Sequence, residues 1–185
     1  MSEWFESRKG MRDEVWDTIV QGLIDPDHPA KTPTFATVSP HGWPEARTVV
    51  IRGADPEAGT VSVYTDIYSD KVRSLKANPR AALVIWDHRK SLQVRLSLQV
   101  TVRSGASVRD LWEKVPDHSQ LSYGVAPVPG HPIEERLAYQ KRPDPDAFAV
   151  LDCEVLTIDA VYLGRDHQRA IYSRSDDWVG QWLSP

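Results

Sequence analysis

Apolar residues recur at Trp4, Phe5, Met11, Val15, Trp16, Ile19, Val20 and Leu23, and this spacing of three and four predicts an amphipathic helix over 4–24. Asp25-Pro26 ends it, Gly10 is expected to divide it, and the proline-rich segment 25–33 reads as a loop. From Phe35 the period falls to two. Phe35–Ser39, Ala46–Gly53, Thr60–Thr65, Ala81–Trp86 and Leu92–Val102 are β-rich runs separated by turn residues. In the last of them Leu92, Val94, Leu96, Leu98, Val100 and Val102 point one way and the polar residues between them the other. His41-Gly42 and Pro56–Gly59 read as hairpin turns, and Ser69 to Ala77 as a short helix with Ser69 as its N-cap.

Beyond Gly105 the pattern predicts helices over 107–115 and 132–141, separated by a Pro/Gly-rich loop at Ala126–Gly130. Strands return at Phe148–Leu163 and Arg169–Ser173. Successive antiparallel strands with a few attached helices predict a mainly β (α+β) chain, folded as one domain over residues 1–185 into a closed or nearly closed barrel.

Composition narrows the partners. The net charge of −4 argues against nucleic acid or an anionic membrane surface, while leaving room for a local phosphate pocket. One cysteine, Cys153, sits in an apolar run, so no internal disulfide forms and a buried strand thiol is expected. The opening residues lack the layout of a secretory signal and no apolar stretch reaches membrane-span length, so the expected compartment is the cytoplasm. The six histidines are scattered in loops, and no metal site is expected.

The chemistry-bearing residues cluster on the early strands. Arg47 and Arg52 frame an apolar run, with Arg47 on the face of Val49 and Ile51 and Arg52 on that of Thr48 and Val50. Downstream, Tyr64-Thr65 leads to Ser69-Asp70-Lys71 at a helix start, an ordinary capped turn or a dianion site. In order, Pro44-Glu-Ala-Arg47-Thr-Val-Val-Ile-Arg52-Gly53, Tyr64-Thr65, Ser69-Asp70-Lys71, Asn78-Pro79-Arg80-Ala-Ala-Leu83 and Gln93-Val94-Arg95 resemble the pyridoxamine 5′-phosphate oxidase family. Arg169-Ala-Ile-Tyr-Ser-Arg174 and the closing Trp178–Pro185 continue the resemblance over about half the chain.

The resemblance implies a split-barrel homodimer with FMN at the subunit interface and both subunits contributing to each site. It places Arg47 and Lys71 on the FMN phosphate, with Ser69 beside them. Thr48, Val49, Val50, Tyr64 and Thr65 then line the ribityl chain and ring. Arg52 takes the place of a lysine near flavin and substrate; Gln93, Tyr162 and Arg169 take the places of a glutamine, a tryptophan and an arginine on the ring. Four features depart from the family. Asp70 replaces a basic residue, the family's Gln-Ser pair has no counterpart near Pro127–Gly130, the Arg-x-His that grips the pyridoxal substrate is missing before Arg169, and only Trp112 and Ser119 stand for the substrate-binding Tyr, Arg and Ser. The resulting expectation is an FMN-dependent oxidoreductase on an unassigned small molecule, with no catalytic residue assigned. The alternatives are a non-catalytic flavin-binding or sensing module, and a barrel that binds haem or a deazaflavin instead.

Overall fold

The computed structural model describes residues 3–185. Helix α1 spans Arg8–Ile24 and buries Met11, Val15, Trp16 and Ile19. The break expected at Gly10 lies instead at Ser7, whose hydroxyl caps the helix by accepting the Gly10 N–H at 3.0 Å. Residues Trp4–Glu6 form a separate 3₁₀ turn.

Strands β1 (Thr34–Val38), β2 (Pro44–Thr48), β3 (Ile51–Asp55) and β4 (Thr60–Asp66) follow. The single strand expected over 46–53 is two segments, because β2 pairs with β1 whereas β3 pairs with β4. The chain turns from one partner to the other at Val49-Val50, and Val49 N–H donates to the Pro33 carbonyl there. Helix α2 (Asp70–Ala77) leads to β5 (Arg80–Asp87) and the long β6 (Leu92–Ser104), whose alternation follows the sequence: even-numbered Leu92 to Val100 are buried.

The next stretch departs from expectation. A 3₁₀ turn at Gly105–Val108 runs into α3 (Arg109–Trp112), and α4 (Asp117–Gln120) was not anticipated. No helix forms over 132–141; the segment ends in β8 (Gln140–Lys141), paired with β7 (Val125–Ala126). Its apolar residues find no surface to pack on, Leu137 being 64% exposed, and a short helix without tertiary packing is marginal in water.

Strands β9 (Phe148–Tyr162), β10 (Gln168–Ser173) and β11 (Gln181–Leu183) complete the fold. The long β9 pairs with β6 along one edge; its other edge is shared, by β4 over its first half and β10 over its second. Pairing therefore runs β1–β2, β3–β4, β4–β9, β9–β6, β6–β5 and β5–β1, giving a mainly β architecture with attached helices. The main core lies on one face of these strands, against α1. Cys153 is part of it, and burial pushes its thiol up to about 12, so it is an inert apolar group. A second, smaller core joins Val108, Trp112, Val115, Tyr123, Phe148 and Val150, packing the α3–α4 region on the outside of β9.

On the outer face of the sheet Ala36, Val38, Pro44, Ala82 and Leu156 line a shallow apolar cavity of about 480 Å³. Among the described residues no helix is long and apolar enough to cross a membrane.

Candidate functional site

Four elements, β1, β2, β4 and α2, meet around Arg47. It sits on β2 opposite Phe35 of β1, and its guanidinium donates to Thr37 Oγ1 at 2.8 Å, to the Phe35 and Glu45 carbonyls, and to Glu45 Oε2 at 3.1 Å. Glu45 is held in turn by the Ser74 hydroxyl of α2. From the end of β4, Thr65 brings its hydroxyl to 3.0 Å from the Lys71 ammonium and 3.2 Å from Ser69 Oγ. Ser69 occupies the N-cap position of α2, but its hydroxyl donates back to the Asp66 carbonyl and does not cap the helix.

Electrostatics sets this cluster apart from an ordinary capped turn. Lys71 is pushed below its ordinary value first by burial and then by the nearby charge of Arg47. Among the described residues it has no carboxylate within ion-pair distance, since Asp70 turns away to Arg73. Two cations that repel one another, flanked by two hydroxyls, fit a dianion that would offset their repulsion. A phosphate arriving there competes for Arg47 with one carboxylate, that of the half-exposed Glu45, and with the Thr37 hydroxyl and two backbone carbonyls.

The strand then carries Thr48, exposed, Val49, buried, and Val50, half-buried, to Arg52. Arg52 is exposed and lies beside two tyrosines. Its positive charge acts on the phenols of Tyr64 and Tyr123. Burial pushes both phenols up despite the Arg52 charge, so both stay neutral donors. Phe148 meets the Tyr64 and Tyr123 rings edge-on at 5.1 and 5.0 Å. Asp66, buried, ties this region to the Arg47–Lys71 cluster by accepting the Tyr68 and Gly124 N–H groups. A side chain at Gly124 would place its Cβ 2.2 Å from the Arg142 carbonyl, so the loop closes there only with glycine.

Gln93 and Arg169 lie elsewhere. Cross-strand pairing sets Trp86, Gln93, Val161 and Arg169 in one row across β5, β6, β9 and β10 on the outer face. Asp159 fixes that row: it accepts from Arg169 Nε at 3.0 Å and Nη2 at 2.9 Å, and from Arg95 as well. Tyr162 falls on the opposite face, where its ring stacks on Phe5 at 4.2 Å with Trp4 against it. Its ring also approaches the backbone of Gly164, where a Cβ would come within 2.1 Å. The expected site residues therefore form an Arg47–Thr65–Ser69–Lys71 cluster, a neighbouring Arg52–Tyr64 pair and a distant Gln93–Arg169 row; Tyr162 belongs to none of these.

Asp159, Glu45 and Tyr123 were not singled out from the sequence. Asp159 had a signal, a carboxylate inside an apolar strand run; Glu45 and Tyr123 had none. Burial pushes the Asp159 carboxyl up, but the hydrogen bonds and charges of Arg169 and Arg95 outweigh it and hold it below the ordinary 3.8. Its contribution to stability is thus complete above that ordinary value and fades as pH falls through the lower folded value. Asp159→Asn should cost about 2 kcal/mol at pH 7, the buried-pair figure discounted for exposed guanidiniums. Urea titrations should show that difference shrinking as pH falls below 3.8; a constant difference down to pH 2 would assign the loss to packing.

The sequence profile of the pyridoxamine 5′-phosphate oxidase FMN-binding domain matches residues 13–104. The pyridoxine/pyridoxamine 5′-phosphate oxidase of Paraburkholderia xenovorans is 31% identical over 188 residues, covering 92% of this chain and 87% of its own. The chain belongs to the pyridoxamine 5′-phosphate oxidase family. The oxidase of the same name from Alkalilimnicola ehrlichii is 29% identical over 189 residues, 93% of this chain and 94% of its own. Other members so named are matched over about half their length. A crystal structure of a pyridoxamine 5′-phosphate oxidase-related, FMN-binding protein from Nostoc punctiforme superposes with a TM-score of 0.75 at 24% identity. It covers 94% of this chain and 97% of the other, and it shows that the fold is that of the family.

Proposed function

We propose that the chain is an FMN-dependent oxidoreductase acting on a small molecule, a single cytoplasmic domain whose strand circuit is a split barrel. The observation that carries this reading is the Arg47–Lys71 pair, two mutually repelling cations beside the Thr65 and Ser69 hydroxyls. Arg47 and Lys71 bind the FMN phosphate, and Thr48, Val49 and Val50 lead the ribityl chain along the strand toward Tyr64 and Arg52. When bound, FMN supplies the hydride-accepting chemistry. The buried free thiol of Cys153 suits a reducing compartment.

Gln93 and Arg169 serve the flavin ring from a second copy of the chain. Thr65 pairs with Ala149 and Arg169 with Val161, so twelve residues of β9, about 40 Å of strand, separate the two groups within one protomer. That is longer than an extended FMN. The apolar outer patch beside Val38 and Leu156 supplies the contact surface for such a pair. In that arrangement Arg169, held by Asp159, presents positive charge to the pyrimidine end of the ring and stabilises reduced anionic flavin.

Each charged contact to a phosphate is worth about 1.5–3 kcal/mol, so Arg47→Ala should weaken FMN binding at least tenfold in a fluorescence titration. Affinity within a factor of two of wild type overturns the phosphate assignment. Light scattering that found a monomer with flavin fully bound would overturn the shared site.

A further inference from the structure

We propose that Trp86 of a second copy closes the apolar end of the flavin ring site and so fixes which way round the ring lies. This placement rests on the shared-site reading above, in which Gln93 and Arg169 reach the ring from that copy, and adds to it a residue and an orientation.

Strand register positions the residue. Trp86 pairs with Gln93, Gln93 with Val161 and Val161 with Arg169, so the four form one row across β5, β6, β9 and β10. Directly paired residues share a face of the sheet. Here it is the outer face, because Ile85, Asp87, Leu92, Val94, Ala160 and Ala170, their neighbours in sequence, are buried. Three strand spacings, about 14 Å, separate Trp86 from Arg169. That leaves room for a tricyclic ring lying across the strands, with one side chain at each end.

The fold itself makes no use of this indole. Trp86 is 47% exposed, and among the described residues it meets no other ring and its N–H finds no acceptor. Trp4, Trp112 and Trp178, by contrast, each meet a ring or a guanidinium of the protein. Tyr162, the aromatic expected on the ring, is stacked on Phe5 on the opposite face, and Val161 holds the outward position beside it. Trp86 is therefore the aromatic residue that this row offers to a flavin.

Polarity then sets the orientation. An isoalloxazine has a pyrimidine end with carbonyls and an N–H, and a dimethylbenzene end with no polar group. Arg169, held by Asp159, brings charge to one end of the row. Trp86 brings an apolar surface to the other, with Gln93 and Val161 between them. The reverse placement would set the carbonyls against an indole face and the methyl groups against a guanidinium, and each polar group desolvated without a partner costs binding. The pyrimidine end therefore lies at Arg169 and the dimethylbenzene end at Trp86.

The test titrates the full chain with FMN and reads both affinity and the excited-state lifetime of the bound flavin. Indole in contact with an excited flavin quenches it, so wild type should hold FMN with a shortened lifetime. Trp86→Ala should weaken FMN about three- to tenfold and lengthen that lifetime about twofold or more. Trp86→Phe should recover most of the affinity while keeping the long lifetime. Arg169→Ala, measured in parallel, should weaken FMN without lengthening the lifetime. Unchanged affinity and lifetime in Trp86→Ala, alongside a loss of affinity in Arg169→Ala, overturns the placement of Trp86 and leaves the shared site standing. No change in either variant overturns the shared site as well.

Discussion

FMN-loaded protein should oxidise pyridoxamine 5′-phosphate at least a hundredfold less efficiently than an oxidase that carries the full set of substrate contacts. The Arg-x-His that would precede Arg169 is missing, and position 52 holds arginine in place of lysine. That substrate brings its own dianion, which needs a clamp separate from the one at Arg47 and Lys71. Each lost charged contact costs about 1.5–3 kcal/mol, and two or three losses amount to roughly 10²–10⁶ in kcat/KM. Misplacement adds to this, because hydride transfer requires the substrate carbon about 3–3.5 Å from the ring. Peroxide release under steady-state conditions decides the matter. Robust turnover of pyridoxamine 5′-phosphate would mean that other cations rebuild the clamp, and would assign the chain the ordinary activity of the family.

The largest effect on stability is expected at Phe148. Its ring is fully buried between the Tyr64, Trp112 and Tyr123 rings, and the second core is assembled around it. Phe148→Ala should cost about 3–5 kcal/mol, which lowers Tm by roughly 10 °C for a chain of this size. The loss should not stay confined to stability. Tyr64 and Tyr123 lose the ring edge that fixes them, so the folded variant should lose tyrosine signal in near-ultraviolet circular dichroism. A variant with an unchanged Tm would show that the second core adds nothing to the stability of the fold.

Much of this was legible before any coordinates. The alternation in β6 gave its two faces directly, because a half-buried strand with a period of two leaves little choice. Arg47, Thr65, Ser69 and Lys71 could be grouped because motif order carried information that distance along the chain did not. The helix at 132–141 was misread for a physical reason: its apolar residues have helical spacing, but nothing in the sequence says whether a surface waits to receive them. The division of the strand at Val49-Val50 was equally hidden, since the same β-prone residues serve before and after a change of partner. Tyr162 was placed by resemblance alone. Its neighbours Phe5 and Trp4 lie more than 150 residues away in sequence, where no local pattern could announce them.

The shared edge of β9 has one further consequence. Ser97 of β6 pairs with Thr157 and Leu98 with Val155, so Leu156 is an unpaired extra residue in the strand. Up to Val155 the odd-numbered residues face the core; from Ile158 onward the even-numbered ones do. The strand is written in two phases, and Leu156 is the point at which the phase slips. Without that slip Asp159 would point into the hydrophobic interior and Arg169 would have no partner. The hand-over from β4 to β10 and the outward turn of the carboxylate are thus a single event in the chain, located at one residue that pairs with nothing.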